Sequence, residues 1–127
     1  MTGGIMHMKI TNFSTLVVTE DADNLVDVFK EFGFSQTHKK DGIDEGRVTS
    51  NILEDEYGHM ISIASAPVPN DITALRMNVD DFDEAYNILK DKGFNQASEP
   101  EDTGTSKTVL MVSKKGFSIN LVHHYNK

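Results

Sequence analysis

The arginines are the residues of this sequence whose side chains are best suited to bind a small anion. Ten of the 12 basic residues are lysines, and only Arg47 and Arg76 are arginines. An arginine presents a planar fork of N–H donors that matches a carboxylate or a phosphate, whereas a lysine presents a flexible point charge. Arg76, together with Arg47 at the start of a predicted strand, is therefore a candidate for binding an anion.

Arg76 lies within a predicted strand, residues 72–79, in which successive side chains alternate between the two faces of a sheet. We expect the apolar face of this strand to pack under the helix that follows it, which leaves the other face free for a ligand. The apolar face consists of Leu75, Met77 and Val79, and the opposite face consists of Ala74, Arg76 and Asn78.

The histidines and carboxylates do not form a recognisable catalytic pattern. His123 and His124 are adjacent on a predicted strand, so they face opposite sides and do not chelate together. No Ser-His-Asp order, phosphate-binding glycine loop or pair of catalytic carboxylates is found. We therefore predict no catalytic residue.

The sequence predicts the same order of elements twice. Each half begins with a strand and an amphipathic helix and continues with three strands. At a shift of sixty residues Asp21 falls on Asp81 and Gly33-Phe34 falls on Gly93-Phe94, which we interpret as an internal duplication of a βαβββ unit. The predicted elements are 10–19, 21–32 (helix), 34–39, 47–53 and 59–64, then 72–79, 81–92 (helix), 94–97, 107–112 and 117–123.

These elements predict one structural domain that is built from two modules. A polar stretch in the second half, residues 99–106, is expected to be a loop. The predicted parts are a flexible N-terminal tail (1–8), a first βαβββ module (9–66), a linker (67–71) and a second βαβββ module (72–124).

Composition narrows the range of functions. The formal net charge of −8 gives a surface that repels nucleic acid and anionic membranes, so neither is an expected partner. The chain has no cysteine, which excludes disulfides, thiolate metal ligands and cysteine nucleophiles. No apolar run approaches the ~20 residues of a membrane span, and the N-terminus lacks the order of a secretion signal. We therefore expect a cytoplasmic protein.

Three short motifs mark equivalent points in the two halves. They are Val18-Thr19-Glu20-Asp21, Phe32-Gly33-Phe34 and Glu56-Tyr57-Gly58-His59 in the first half, and Val79-Asp80-Asp81, Lys92-Gly93-Phe94 and Lys114-Lys115-Gly116-Phe117 in the second. A duplicated βαβββ chain of this length with these motifs resembles the vicinal oxygen chelate superfamily, which includes glyoxalase I, bleomycin-resistance proteins and extradiol dioxygenases. The resemblance covers about residues 9–124. It implies an α+β fold in which two modules form a curved eight-stranded mixed sheet around a central cavity, with the helices outside.

The resemblance also implies where a divalent metal would be bound. Metal-using members have a His, Glu or Gln near the start of each module's first strand and a Glu in each last strand. Neither a histidine nor a carboxylate occupies these positions here, so we predict no metal and no other cofactor. The positions hold Phe13 or Ser14, Ser62, Ala74 and Asn120; the first stays open because that half has one extra residue before its helix.

In place of a metal centre we predict a cavity that binds a small molecule. The resemblance places the last strands of the modules near Arg76, whose guanidinium could hold a carboxylate or a phosphate. His124 has the same strand parity as Ser118 and Asn120, so it could reach the mouth of the cavity. The candidate cavity residues are Phe13, Thr15, Arg47, Ser62, Arg76, Asn78, Ser118, Asn120 and His124.

We therefore interpret the chain as a metal-free binding protein for a small molecule, with anions among the candidate ligands. One alternative is a metal-dependent lyase, isomerase or dioxygenase of the same superfamily with unusual ligands. Another is a regulatory or scaffolding module with a degenerate cavity. The resemblance also leads us to expect a homodimer, because the edges of a curved sheet need to be covered.

Overall fold

A computed structural model of the chain describes residues 8–42 and 48–125, which contain two helices and nine strands. The predicted α+β class is confirmed. None of the helices in these two ranges has the length and apolar character needed to cross a membrane. The elements are β1 (Ile10–Thr19), α1 (Ala22–Glu31), β2 (Ser35–Gly42), β3 (Val48–Glu54), β4 (Met60–Ser65), β5 (Ile72–Val79), α2 (Phe82–Asp91), β6 (Asn95–Gln96), β7 (Glu101–Asp102), β8 (Ser106–Val112) and β9 (Ser118–His124).

The chain divides into two compact units. The first unit consists of residues 14–73, and the second consists of the described parts of residues 1–13 and 74–127. Met8 packs against the apolar core of the second unit, so the start of the described chain belongs with the second half of the sequence. The predicted tail falls on residues 1–8, of which 1–7 lie outside the described residues. The predicted boundaries of the two modules and the linker, which describe the sequence repeat, remain a prediction.

Strand pairing follows the same plan in both units. The order is β2-β3-β4-β1 in the first unit and β6-β8-β9-β5 in the second. In each unit the first and last long strands run parallel, and the remaining pairs are antiparallel. The prediction of eight strands misses β7, whose two residues pair with β8 inside the stretch expected to be a loop.

Each helix covers one face of the strands of its own unit. Alternate strand residues and the apolar stripe of the helix form a single cluster in each unit, and burying one such side chain contributes roughly 1.5–3 kcal/mol. The buried members are Ala22, Val26, Leu53, Ile61 and Ile63 under α1, and Val79, Phe82, Ala85, Val109, Met111 and Leu121 around α2.

Both helices end in the same way, which explains the repeated Gly-Phe pair. Gly33 has φ of 101°, a conformation that glycine adopts without steric cost. Its N–H donates to Lys30 O at 3.1 Å, and the N–H of Phe34 donates to Phe29 O at 3.0 Å. The rings of Phe29 and Phe34 pack edge to face at 5.4 Å. This is a Schellman ending with its apolar contact, and α2 ends with the equivalent bonds.

The turns that precede the last strand of each unit are also built alike. The N–H of Asp55 donates to His59 O at 3.1 Å, and that of Ser113 donates to Phe117 O at 2.9 Å. The side chain at the first position then closes the turn. Asp55 Oδ1 accepts from the N–H of His59 at 2.8 Å, and Ser113 Oγ accepts from the N–H of Phe117 at 3.0 Å.

The Asp55 turn has an additional ionic component that the Ser113 turn lacks. Asp55 Oδ2 lies 2.8 Å from His59 Nδ1. This bond, followed by the backbone N–H bonds of His59 and Tyr57, holds the pKa of Asp55 below the ordinary aspartate value. Because the folded pKa is lowered, the stabilisation is present above the unfolded pKa and is lost as the pH falls through the folded pKa.

We predict that Asp55→Ala lowers the melting temperature at pH 7 and that the loss shrinks as the pH is reduced below about 4. Ser113→Ala is the matched control, because it removes an uncharged turn acceptor and its effect should not change with pH. Thermal unfolding of both variants between pH 2.5 and 7 measures this. An Asp55→Ala deficit that stays constant over the whole range would contradict the ionic contribution.

Candidate ligand-binding site

The strand β5 presents its polar side chains on the face opposite α2. Met77 and Val79 pack in the apolar cluster around α2. Because side chains alternate along a strand, Arg76 and Asn78 point to the other face. The predicted apolar face of β5 is confirmed at these two packed residues.

Strand register places neighbours from β9 and β8 on this same polar face. Adjacent strands lie about 4.8 Å apart, so residues paired across three strands form one continuous small surface. Each of two rows takes one residue from β5, one from β9 and one from β8. The rows are Arg76–Asn120–Leu110 and Asn78–Val122–Thr108, and we call these six residues the Arg76 face.

Arg76 is the charged group of this surface. Its side chain is half-buried, and no hydrogen bond or ion pair joins its guanidinium to another residue within 8–42 or 48–125. Burial lowers the pKa of Arg76 because removing water disfavours the charged form. Arginine nevertheless stays protonated at neutral pH. The Arg76 face therefore carries a partly desolvated positive charge.

Asn78 adds an unpaired acceptor next to that charge. Its Oδ1 atom is buried and has no hydrogen-bond partner among the described residues. A buried polar atom without a partner costs about 1–3 kcal/mol, and such atoms are uncommon in folded proteins. Asn78 therefore has an unused acceptor on the same face of the strand as the unpaired guanidinium.

Asn120 and Thr108 are bonded to each other on the same surface. Asn120 Nδ2 donates to Thr108 Oγ1 at 3.1 Å. Because the hydroxyl oxygen accepts this bond, its own O–H remains able to donate to a bound molecule. Sequence reasoning missed Thr108, since its place beside Asn120 depends on the register of β8 against β9, which no motif in the sequence reveals.

Three further predicted positions of the second half lie on the same face of their strands. Ser118 and His124 share the parity of Asn120 on β9, at its first and last residues. Ser118 Oγ donates to Gly116 O at 3.4 Å, and His124 is exposed. Ala74 is buried on β5 and contributes only a methyl group. The binding role predicted for Ser118 and His124 stays a prediction.

In the first unit the structure corrects the predicted register of β1. Val17 packs with the residues under α1, so Thr15 lies on the helix side of the strand and not on the side of Ser62. Phe13, which belongs to the second unit, is 52% exposed. The alternative position, Ser14, has the opposite parity. The extra residue before α1 shifts the alignment of the two halves by one position. Because a one-residue shift reverses the faces of a strand, the wrong face of β1 was predicted to line the cavity.

Ser62 is the first-unit candidate that does lie on the face away from its helix. It is 3% exposed and pairs in register with Leu16 of β1 and Ile52 of β3. Arg47, the remaining candidate, lies outside the described residues.

The residues at the positions where the superfamily binds metal do not fit a divalent cation. Ala74 has no donor atom, and Asn120 uses its amide group to bond Thr108. Ser62 and Ser14 offer neutral hydroxyls, which are poor substitutes for the imidazole and carboxylate groups that bind such metals. In the two described ranges, no three His, Asp or Glu side chains are grouped closely enough to hold a metal.

A concave surface of the second unit lies at the N-terminal end of α2, where no site was predicted from the sequence. Its volume is about 290 Å³. Several of its polar groups are already engaged: Lys107 Nζ lies 4.7 Å from the centre of the Phe82 ring, and His123 Nδ1 lies 2.9 Å from Val79 O. Its three carboxylates disfavour an anionic ligand. The lining residues are Asp80, Asp81, Phe82, Asp83, Lys107, His123 and Tyr125.

Comparison with known proteins establishes the family. The model of the Glyoxalase/Bleomycin resistance protein/Dioxygenase superfamily matches residues 9–119. The chain therefore belongs to this superfamily, which confirms the resemblance identified from the motifs. No curated protein shows a significant match to the chain.

Solved structures show the same fold at low sequence identity. Methylmalonyl-CoA epimerase from Mycobacterium tuberculosis is 17% identical with a TM-score of 0.66, and the match covers 92% of this chain and 90% of that one. A protein from Staphylococcus aureus is 14% identical with a TM-score of 0.69, covering 92% and 99%. Glyoxalase I from Zea mays is 16% identical with a TM-score of 0.70, covering 98% of this chain and 47% of that one. At these identities the likeness concerns the fold alone.

We predict that Asn78→Leu stabilises the ligand-free protein by about 1 kcal/mol, because it removes a buried acceptor that has no partner among the described residues. Asn120→Leu is the matched control on the neighbouring strand. It breaks an existing hydrogen bond to Thr108 and should destabilise the protein by about 1 kcal/mol. Urea unfolding at pH 7 measures both. Loss of stability in Asn78→Leu equal to that in Asn120→Leu would contradict an unpaired Asn78 acceptor.

Proposed function

We propose that this chain is a metal-free binding protein for a small anionic molecule, which it holds on the Arg76 face. The observation that carries the proposal is the half-buried guanidinium of Arg76, which has no counter-ion among the described residues. A protein that only needed to fold would gain stability from an apolar residue at this place. Retaining an unpaired arginine at such a cost is typical of a group that serves a ligand.

The chemistry of the Arg76 face supports an anion as that ligand. A carboxylate or phosphate would neutralise the guanidinium through charge-assisted hydrogen bonds, which are about twice as strong as neutral ones. The hydroxyl of Thr108 can add one more donor, since its oxygen already accepts from Asn120. Leu110 supplies partly exposed apolar surface beside these polar groups, whereas Val122 is buried. Such a mixture suits a small organic acid better than a bare inorganic ion.

The side chains at the superfamily's metal-binding positions support binding without a metal. A cation at the positions used elsewhere in the superfamily would meet a methyl group and neutral oxygens, and the positive Arg76 lies two residues along β5 from Ala74. That charge would oppose a divalent cation at the same surface.

We also propose that the two units arose by duplication of one βαβββ module. The shared strand pairing, the two Schellman helix endings and the two matching turns support this. A homodimer and a cytoplasmic location stay expectations that rest on resemblance and composition.

Replacing Arg76 tests the proposed anion site. We predict that small carboxylates such as 3-methylbutanoate and levulinate bind the wild-type protein and that Arg76→Met weakens this binding at least about tenfold, with partial recovery in Arg76→Lys. Titrations followed by ¹H–¹⁵N NMR, including the side-chain Nε–H of Arg76, measure the affinities.

Lys107→Met is the control for this titration. It removes one positive charge from the same unit, but Lys107 lies over the ring of Phe82 on the helix side of β8. It should leave the affinities unchanged. Equal weakening by Lys107→Met and Arg76→Met would show a general charge effect, and no carboxylate binding in the wild-type protein would likewise contradict the proposal.

Metal addition tests the second part of the proposal. We predict that Ni²⁺, Zn²⁺, Mn²⁺ and Fe²⁺ at about tenfold molar excess shift the melting temperature by less than about 2 °C, because the neutral donor set binds them weakly. An increase of several degrees that EDTA reverses, together with metal retained after gel filtration, would contradict the metal-free site.

A further inference from the structure

The unpaired acceptor of Asn78 restricts which anions suit the Arg76 face. A carboxylate satisfies Arg76 but has only acceptor oxygens, so it adds nothing for Asn78 Oδ1, which needs an O–H or N–H donor. The Oδ1 atom is buried and lacks a partner within the described ranges, while the Asn78 side chain as a whole is partly exposed. Bonding to a bound molecule therefore requires the side chain to rotate so that Oδ1 reaches the surface.

The two unused groups lie close enough for one small molecule to reach both. Arg76 and Asn78 are two residues apart on the same face of β5, which corresponds to roughly 6–7 Å between their Cα atoms. A donor placed two to four atoms from a carboxylate, or from a phosphate, therefore spans the gap.

Resting on the proposed function, we propose that the ligand is a small acid carrying a hydroxyl or N–H group within a few atoms of its anionic group. Arg76 binds the anion, and Asn78 Oδ1 accepts from the donor. Asn78 would then be the residue that discriminates donor-bearing acids from acids of the same shape that lack a donor. A site built to bond a donor rejects an analogue that lacks one, since its polar atom is then left unpaired.

Two pairs of acids of matched shape and charge test the inference. N-acetylglycine and levulinate differ by an N–H in place of a CH₂ group, and 3-hydroxybutanoate and 3-methylbutanoate differ by a hydroxyl in place of a methyl group. In wild-type protein we expect the donor-bearing member of each pair to bind about fivefold to tenfold more tightly. NMR titration should also shift the side-chain NH₂ signals of Asn78 with N-acetylglycine more than with levulinate.

Two variants of Asn78 identify the residue that accepts the hydrogen bond from the ligand. Asn78→Leu, which keeps the size of the side chain, and Asn78→Ala should each bring the affinity ratio within a pair to about one. Lys107→Met, which is remote from the Arg76 face, should preserve the wild-type ratio. The ratio measured in wild-type protein is by itself sufficient to overturn the inference, so the test does not depend on the folding of either variant.

The outcomes separate this inference from the proposed function. If both members of each pair bind the wild-type protein equally and Arg76→Met weakens both, the anion site stands and the donor requirement is wrong. If the wild-type preference for donor-bearing acids persists in Asn78→Leu and Asn78→Ala, a different residue accepts the hydrogen bond from the ligand. The assignment to Asn78 is then wrong. If neither acid binds, or if Arg76→Met has no effect, the proposed function fails and this inference fails with it.

Discussion

The packing of β5 under α2 is the constraint on which the candidate site depends. Met77 and Val79 enter the apolar cluster that contains Phe82 and Ala85, and the alternation of a strand then forces Arg76 and Asn78 to the opposite face. A shift of one residue would bury the guanidinium against the helix and turn the methionine outward. Burial of the apolar cluster therefore stabilises the fold and fixes the position of the one described arginine at the same time.

The parallel pairing of β5 with β9 completes the surface. It sets Arg76 beside Asn120 and Asn78 beside Val122, and the antiparallel pairing of β9 with β8 adds Leu110 and Thr108. Within this group Asn120 donates to Thr108, whereas the Arg76 guanidinium and Asn78 Oδ1 have no partner among the described residues. A folded protein tolerates such unpaired polar groups at the expense of stability, and functional sites are where this is commonly found.

Much of the fold follows from the sequence because local signals are strong. β5 was predicted with the bounds it has, and the Gly-Phe pairs marked both helix ends, since only glycine adopts the positive φ there without cost. The short β7 was missed because two polar residues carry no strand pattern and pair only through a tertiary contact with β8. The face of β1 stayed open because the sequence repeat is interrupted by one residue before α1.

The candidate site was only partly predictable for the same reason. Arg76 and Asn78 could be found because their own strand shows clear alternation next to an amphipathic helix. Thr108 could not be found, since its position depends on register between strands, and Thr15 was placed on the wrong side with its strand. An unpaired acceptor such as Asn78 Oδ1 is likewise invisible in a sequence, because pairing is a property of the folded surroundings.

We propose that the guanidinium of Arg76 is held ready for an external anion. A crystal structure of the protein soaked with 3-hydroxybutanoate tests this arrangement. We expect the carboxylate within about 2.7–3.2 Å of the Arg76 N–H groups and the hydroxyl within the same distance of Asn78 Oδ1. An arginine paired with a carboxylate of its own chain, with the acid bound elsewhere, would contradict it.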